Sequence, residues 1–387
     1  MARPAFRSPP VRLTSFIHPI RTFLPCSGVG RHMNQVLLRL QHDATTDVRL
    51  LFSRQWLGAD GRLPENCPLR NLPFSTFPWP ENPTERLWKM FGRPRMDAYV
   101  APGTDWVYCP METYLPMRSR IPTAITLHDI HPFEPDLPWR TRRLQAWSRW
   151  KWSRWVNRAF RDCAVVFTVS EFSKRRMVEL LGAPDSKIVV VGNGVDEAFF
   201  KAGDAVVAEF PRIMPQPYVI TVGGLRVAKG GRHLLDVARR LVERGSDIQV
   251  VVAGPDDPAL AAEARALPNV HLLGTVPDAH LPGLLKHALA MVFLSLYEGY
   301  GIPPLEAMAV GTPAIVSNVA SLPEVVGDAG FVVSPGDSDA IAELCTSLLE
   351  NPSRHADRVR AGRAHAATKT WDACARKVLD TLRGIPA

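Results

Sequence analysis

Short apolar runs recur along the chain, separated by stretches whose apolar positions follow helical spacing. Residues 11–17 read as a first strand, and a loop through Gly30 leads into a helix over about 31–40. Further strands are expected at 48–52, 106–109, 123–127, 165–169 and 188–191. Ser170 stands where it can cap the helix after 165–169. Residues 53–97 are rich in Pro, Trp and Arg and give no readable order. A second series then runs through 218–222, 248–253, 270–273, 290–294, 314–317 and 331–333. Strands that alternate with helices form parallel sheets. Residues 201–217 have weak periodicity, end in Pro-Gln-Pro, and read as the linker between the two series. The pattern therefore predicts an α/β protein of two Rossmann-like domains, 1–200 and 218–370, with parallel sheets facing across a cleft.

A chain of 387 residues suits two domains with full cores. No apolar run approaches the length of a membrane-spanning helix. Residues 1–12 are basic and proline-rich and lack the apolar centre of a signal peptide. They read as an unstructured start, with a faint likeness to a transit peptide. The six cysteines are scattered without zinc-like spacing, which fits a reducing, cytoplasmic setting. Charge changes the picture more. Residues 1–200 carry 28 Lys/Arg against 18 Asp/Glu, and the remainder 18 against 20. The basic first half points to an anionic partner.

Candidate chemistry concentrates in four loops. Glu298-Gly-Tyr-Gly-Ile-Pro-Pro-Leu-Glu306 joins the strand at 290–294 to a helix opened by prolines and closed by Gly311. Its carboxylates bracket a strand-to-helix connection, where open α/β sheets bind ligands. Carboxylates there accept hydrogen bonds from sugar and ribose hydroxyls, although a glutamate in a first helical turn also serves simply as a dipole partner. Arg226 and Lys229 follow the strand at 218–222 among Gly223, Gly224, Gly230 and Gly231. Arginine offers a fork for phosphate oxygens and lysine a point charge. Gly28-Val29-Gly30 reads equally as a tight turn or as backbone that approaches phosphate. His128, before Asp129, is either a strand-end cap or a cleft residue. His131, Glu134 and Asp136 are candidates for the acceptor side.

Residues 293–327, with Glu298 and Glu306 in a Glu-x7-Glu arrangement, resemble the signature of retaining glycosyltransferases of family 4. Gly28-Val29-Gly30-Arg31, His128-Asp129, Val169-Ser170-Glu171-Phe172-Ser173, Gly192-Asn193-Gly194-Val195-Asp196 and residues 223–230 extend the resemblance over most of the chain. It thins between about 51 and 124. The resemblance implies the GT-B fold, with the last helix, in 371–387, crossing back to the first domain. It also implies that Arg226 and Lys229, with Gly224 beside them, hold a diphosphate. His128 would contact the donor sugar, Glu298 its hydroxyls and Glu306 the nucleoside ribose. Backbone N–H groups of Tyr300, Gly301 and Ile302 would reach the sugar, and those of Gly28, Val29 and Gly30 the phosphates from the opposite wall. The expected reaction is transfer of a hexose from a GDP- or UDP-linked sugar to a saccharide or lipid-linked saccharide, with retention. Polysaccharide or lipopolysaccharide assembly is the expected setting. The donor's phosphate oxygen would take the acceptor proton. No cofactor or required metal is expected. Same-fold alternatives are a nucleotide-sugar epimerase, a sugar phosphorylase, or a silent nucleotide-sugar-binding protein. The Arg226, Lys229, Glu298 and Glu306 set argues against the last.

Residues 139–161 stand apart, with eight basic residues, five tryptophans and no acids. Helical spacing puts Lys151, Arg154, Arg158 and Arg161 on one face and Trp152, Trp155, Val156 and Ala159 on another. The segment reads either as a helix drawn to anionic lipid at the inner face of a membrane, or as an ordinary packed helix with a solvated basic face. No nucleic-acid-binding motif accompanies it.

Overall fold

The computed structural model describes residues 10–23, 28–113, 120–135, 137–201 and 217–385, the side chains of Lys89 and Arg154 apart. The expected linker falls almost wholly on 202–216, outside the described residues, as does Asp136. Seven parallel strands form the first sheet: β1 (Val11–Phe16), β2 (Thr46–Ser53), β3 (Phe74–Phe77), β4 (Trp106–Cys109), β5 (Thr123–Thr126), β6 (Val165–Thr168) and β7 (Ile188–Val190). Their order is β3-β2-β1-β4-β5-β6-β7. The second sheet contains β8 (Tyr218–Val222), β9 (Gln249–Ala253), β10 (Val270–Gly274), β11 (Ala290–Phe293), β12 (Ala314–Ser317) and β13 (Phe331–Val333). Its order is β10-β9-β8-β11-β12-β13, again all parallel. These two Rossmann-like domains are the GT-B fold.

The central strands are apolar throughout because helices cover both faces of each sheet. Strands β4, β5, β6, β11 and β12 are buried at every position. Order reverses beside β1 in the first sheet and beside β8 in the second. At such switch points the loops leaving neighbouring strands diverge and open a crevice at the strands' carboxyl ends. The loops after β8 and β11 carry Arg226, Lys229 and Glu298, so the topology alone brings these residues together.

The two halves are tied at several places. The Trp371–Gly384 helix packs on the Gly28–His42 helix of the first sheet, and one apolar core runs from Leu37 and Leu40 through Trp371 and Val378. Gly194 has no room for a side chain, since a Cβ there would lie 2.1 Å from the Trp371 backbone nitrogen. Ser170 Oγ donates to the Gly299 carbonyl at 2.7 Å. Glu324 accepts the backbone N–H groups of Glu171 and Phe172 at 2.7 and 3.0 Å. It thereby satisfies free donors at the start of the Glu171–Leu181 helix from the opposite domain.

Two features of the first domain depart from expectation. The stretch without readable order contains β3 and a Glu81–Phe91 helix, whose Trp88 is fully buried among Phe16 and Phe77. The basic helix runs over Arg142–Asp162, but Arg158 is not on its exposed face. Arg158 is buried against the chain at Gly92 and pairs with Asp162 at 3.0 Å. It flanks Trp155, Val156 and Ala159, which turn inward to the core, and is drawn in with them.

Candidate active site

The loop after β8 is shaped by glycines that must be glycine. Gly230 has φ +72°, and a Cβ there would lie 1.9 Å from the Leu294 carbonyl oxygen. Gly224 has φ +82°, and its Cβ would meet the Pro255 carbonyl at the same distance. The loop after β8 is thus pressed between the loops after β9 and β11. Gly230→Ala should lower stability by about 3 kcal/mol or more, combining left-handed strain with a backbone clash. Urea unfolding followed by circular dichroism measures this, and an unchanged midpoint would show the loop yields freely.

One cleft of about 490 Å³ lies between the domains. Gly28, Val29, His128, Arg226, Lys229, Glu298, Tyr300, Gly301, Ile302 and Glu306 line it. Gly30 and Gly224 do not. Gly30 is buried in the helix, which starts at Gly28 rather than after Gly30, and Gly224 serves the loop packing just described. The helix start brings the positive end of its dipole to the cleft wall. From the other wall, the Ile302–Val310 helix begins after Gly301 (φ 108°), with prolines in its first turn that need no donor.

Glu306 is the only charged residue of that helix and is 1 % exposed. It lies beyond the first turn, so it is not a simple dipole partner. Its partner is Arg31, whose Nη1 donates to Glu306 Oε1 across the cleft. Arg31 also stands 3.9 Å from Asp196. Burial pushes the Glu306 carboxyl up, Arg31 opposes this, and Asp196 and Asp278 add to it, leaving it at about 7. Lys229 Nζ pairs with Glu298 Oε1 and lies over the Phe293 ring. Arg226 is exposed and lines the cleft, with Nε donating to the Gly223 carbonyl at 3.0 Å.

His128 is buried, with Nε2 3.2 Å from the Pro110 carbonyl. A carbonyl only accepts, so Nε2 carries the proton. Its ring meets His32 edge-on at 4.7 Å. His32 bonds Asn193 Oδ1 at 2.7 Å, and burial with the neighbouring His128 depresses it to about 3, so it is neutral. Tyr300 is held by its hydroxyl to the Asn193 carbonyl at 3.1 Å, and Ser321 Oγ donates to the Tyr300 and Glu298 carbonyls. The Glu298–Tyr300 loop is therefore fixed from both domains. Glu134 is engaged elsewhere, with Arg176 Nη2 at 2.6 Å. Arg31, Asn193 and Asp278 also line the cleft, and the sequence pattern does not mark them. The first two sit inside glycine motifs, whose spacing points to the backbone and not to these side chains.

Among the described residues no group of three His, Cys, Asp or Glu is placed to hold a metal ion. The arrangement can hold an anionic, hydroxyl-rich ligand, with cations and helix N-termini for phosphate and carboxylates for hydroxyls.

Comparison with known proteins agrees with this chemistry. Residues 26–199 match the family model described as Glycosyltransferase Family 4, and residues 207–365 that of Glycosyl transferases group 1. The O-antigen chain mannosyltransferase B of Escherichia coli is 30% identical over 72% of this chain and 74% of its own length. An alpha-maltose-1-phosphate synthase of Mycobacterium tuberculosis is 31% identical over 69% and 74%. Among solved structures, Anabaena HepE in complex with UDP and glucose superposes with a TM-score of 0.71 at 18% identity, covering 97% of this chain and all of that one. WaaG, a glycosyltransferase involved in lipopolysaccharide biosynthesis, gives 0.67 at 16% over 96% and 100%. These two likenesses speak for the fold. Sequence match, fold and cleft together place the chain in family 4 of the glycosyltransferases.

Proposed function

We propose that this glycosyltransferase is a retaining hexosyltransferase. It moves a mannose- or glucose-like unit from a GDP- or UDP-linked sugar to a saccharide or lipid-linked saccharide in polysaccharide or lipopolysaccharide assembly. The observation that carries the reading is the convergence of Arg226, Lys229, Glu298 and Glu306 on one cleft at the domain switch points. The mannosyltransferase among its relatives supports a hexose as the unit transferred.

Breaking the bond from the anomeric carbon to a diphosphate builds negative charge on the leaving oxygen. Arg226 and Lys229 stabilise that charge, and the helix starts at Gly28 and Ile302 add oriented N–H groups. Glu306 receives the ribose hydroxyls. Glu298, released from Lys229 when phosphate engages the lysine, receives hydroxyls of the sugar, beside His128. Both glutamates are ion-paired before any ligand enters, which suits them to positioning rather than to attack on the anomeric carbon. With no enzyme nucleophile, the diphosphate oxygen takes the acceptor's proton, and the acceptor enters on the face the diphosphate leaves. The product should keep the donor's anomeric configuration, and chelator should leave activity intact because protein cations carry the charge. An inverted product by NMR, or loss with EDTA restored by a divalent ion, would contradict this.

We place the enzyme at the inner face of a membrane. No helix among the described residues is long and apolar enough to cross one. The Arg142–Asp162 helix nevertheless exposes Leu144, Trp147 and Trp150, the last 61 % accessible, next to Lys151. On the same side of the sheet, Met90 and Phe91 of the Glu81–Phe91 helix are 69 % and 66 % accessible, followed by Arg93 and Arg95. Exposed aromatics among basic residues suit an anionic lipid surface. The protein should float with vesicles of phosphatidylglycerol at low salt and detach as salt screens the attraction. Changing Trp147 and Trp150 to Ser and Lys151 to Gln should weaken binding by about tenfold or more while nucleotide affinity stays unchanged. Failure of the wild type to float at low salt would leave this helix an ordinary surface.

A further inference from the structure

A second cavity of about 950 Å³ adjoins the donor cleft. Residues 138–141 of the first domain form one wall. The loop from Arg226 to His233, with residues 255–257 and Leu296, forms the other. Arg226 lines both spaces, so whatever fills this cavity lies beside the group that meets the diphosphate.

The charged groups of the cavity are unequally committed. Asp256 accepts the Leu225 N–H at 2.8 Å, and Asp257 accepts the Ala259 N–H at 2.9 Å as a helix cap. Both acids are thus engaged by backbone. Arg232 is exposed, and no carboxylate pairs with it among the described residues. Arg140 bonds neutral groups through one proton of each terminal nitrogen, with Nη2 2.8 Å from His131 Nε2 and Nη1 3.2 Å from Ser148 Oγ, and no carboxylate matches its charge among the described residues. A guanidinium only donates, so His131 Nε2 is unprotonated and the ring proton sits on Nδ1, 2.7 Å from Asp129 Oδ1. Asp129 itself lines the donor cleft. A hydrogen-bonded chain from Arg140 through His131 to Asp129 therefore joins the two spaces. Trp139, half-buried in the same wall, offers an aromatic face.

We propose that this cavity is the acceptor subsite and that it takes a hexose carrying an anionic group, a phosphate ester or a carboxylate. The proposal rests on the transferase reading and names the acceptor class for it. Trp139 packs against the apolar face of the sugar ring, and Arg140 and Arg232 meet the anion from opposite domains. Guanidinium groups give directional, charge-assisted bonds to either anion. The acceptor hydroxyl then faces Arg226 and the donor's anomeric carbon. A neutral sugar forgoes the charge-assisted bonds to Arg140 and Arg232 and binds more weakly.

The test uses the full-length protein with 15N-labelled tryptophan. The indole signal of Trp139 is assigned with Trp139→Phe, and the probes are glucose 6-phosphate, glucuronate, glucose and inorganic phosphate. Glucose 6-phosphate and glucuronate should shift the signal with at least about fivefold higher affinity than glucose or phosphate alone. Arg232→Gln should weaken both by about tenfold, the scale of one charge-assisted bond. Its affinity for UDP and GDP, measured by calorimetry, should stay at the wild-type value, since Arg232 does not line the donor cleft. Glucose acting as well as glucose 6-phosphate would overturn the anion requirement. Inorganic phosphate acting as well would reduce the cavity to a plain anion site and overturn the saccharide. An unchanged response in Arg232→Gln, or no shift with any probe while a nucleoside diphosphate binds, would sink the inference and leave the transferase reading standing. Absence of binding by every nucleoside diphosphate would instead sink the transferase reading.

Discussion

Lys229→Ala and Arg226→Ala should each lower turnover by about a hundredfold or more, the scale of losing one preorganised partner of transition-state charge. The two side chains stand in the loop after β8 at the switch point, and both line the donor cleft. Lys229 carries more than its own charge, because it pairs with Glu298. Removing it frees that carboxylate to repel an incoming diphosphate. The effects of Lys229→Ala and Glu298→Gln should therefore not add, and the double variant should lose less than the product of the single losses. Initial rates at saturating donor give the comparison. Turnover unchanged in both Arg226→Ala and Lys229→Ala would remove the loop from the chemistry.

Glu306→Gln should weaken nucleoside diphosphate binding by about tenfold to a hundredfold, the range for a hydrogen bond to a charged group. Glu298→Gln should leave that affinity nearly unchanged and slow the sugar-dependent step. The distinction follows from position, since Glu306 is sealed in the Ile302–Val310 helix beside Arg31, whereas Glu298 sits in the loop before it. Glu306 also sets a pH dependence. Burial holds it at about 7, above an ordinary carboxyl at 4.5. Between these values the folded protein holds more protons than the unfolded chain, so this group's contribution to stability is full below the lower value. It is lost as pH rises through the upper one. Nucleotide binding runs the other way, because ribose hydroxyls donate to the ionised form. Wild-type affinity should rise with pH through about 7 more steeply than that of Glu306→Gln, the nucleotide's own titration being common to both. Parallel pH profiles, or equal loss of nucleotide affinity in both glutamine variants, would contradict the division of roles.

The strands were legible because parallel sheets covered on both faces need continuous apolar runs, and the expected positions of β4 to β13 lie within a residue or two of the observed ones. Strand β3 and the Glu81–Phe91 helix were not. Proline and arginine interrupt their apolar pattern, and the buried face of the helix combines Trp88 with the polar Glu81 and Thr84, so no apolar period marks it. At the site, Lys229 and Glu298 could be placed from motifs because each loop leaves its own strand. The Arg31–Glu306 pair spans 275 positions, and no local pattern announces it. The burial of Arg158 was equally hidden, since helical spacing says which residues share a face but not which neighbour covers its edge. The second cavity exists only where the two domains meet, so neither half of the sequence records it.

The central claim is that this cleft binds a nucleoside diphosphate between the Arg226/Lys229 loop and Glu306. Isothermal titration with UDP, GDP and ADP tests it most directly, on the wild type and on the Arg226→Ala/Lys229→Ala and Glu306→Gln variants. One of the three should bind the wild type, with a base preference. Affinity should then fall by about tenfold or more in both variants. Binding of none of the three, or wild-type affinity retained in both variants, would contradict it.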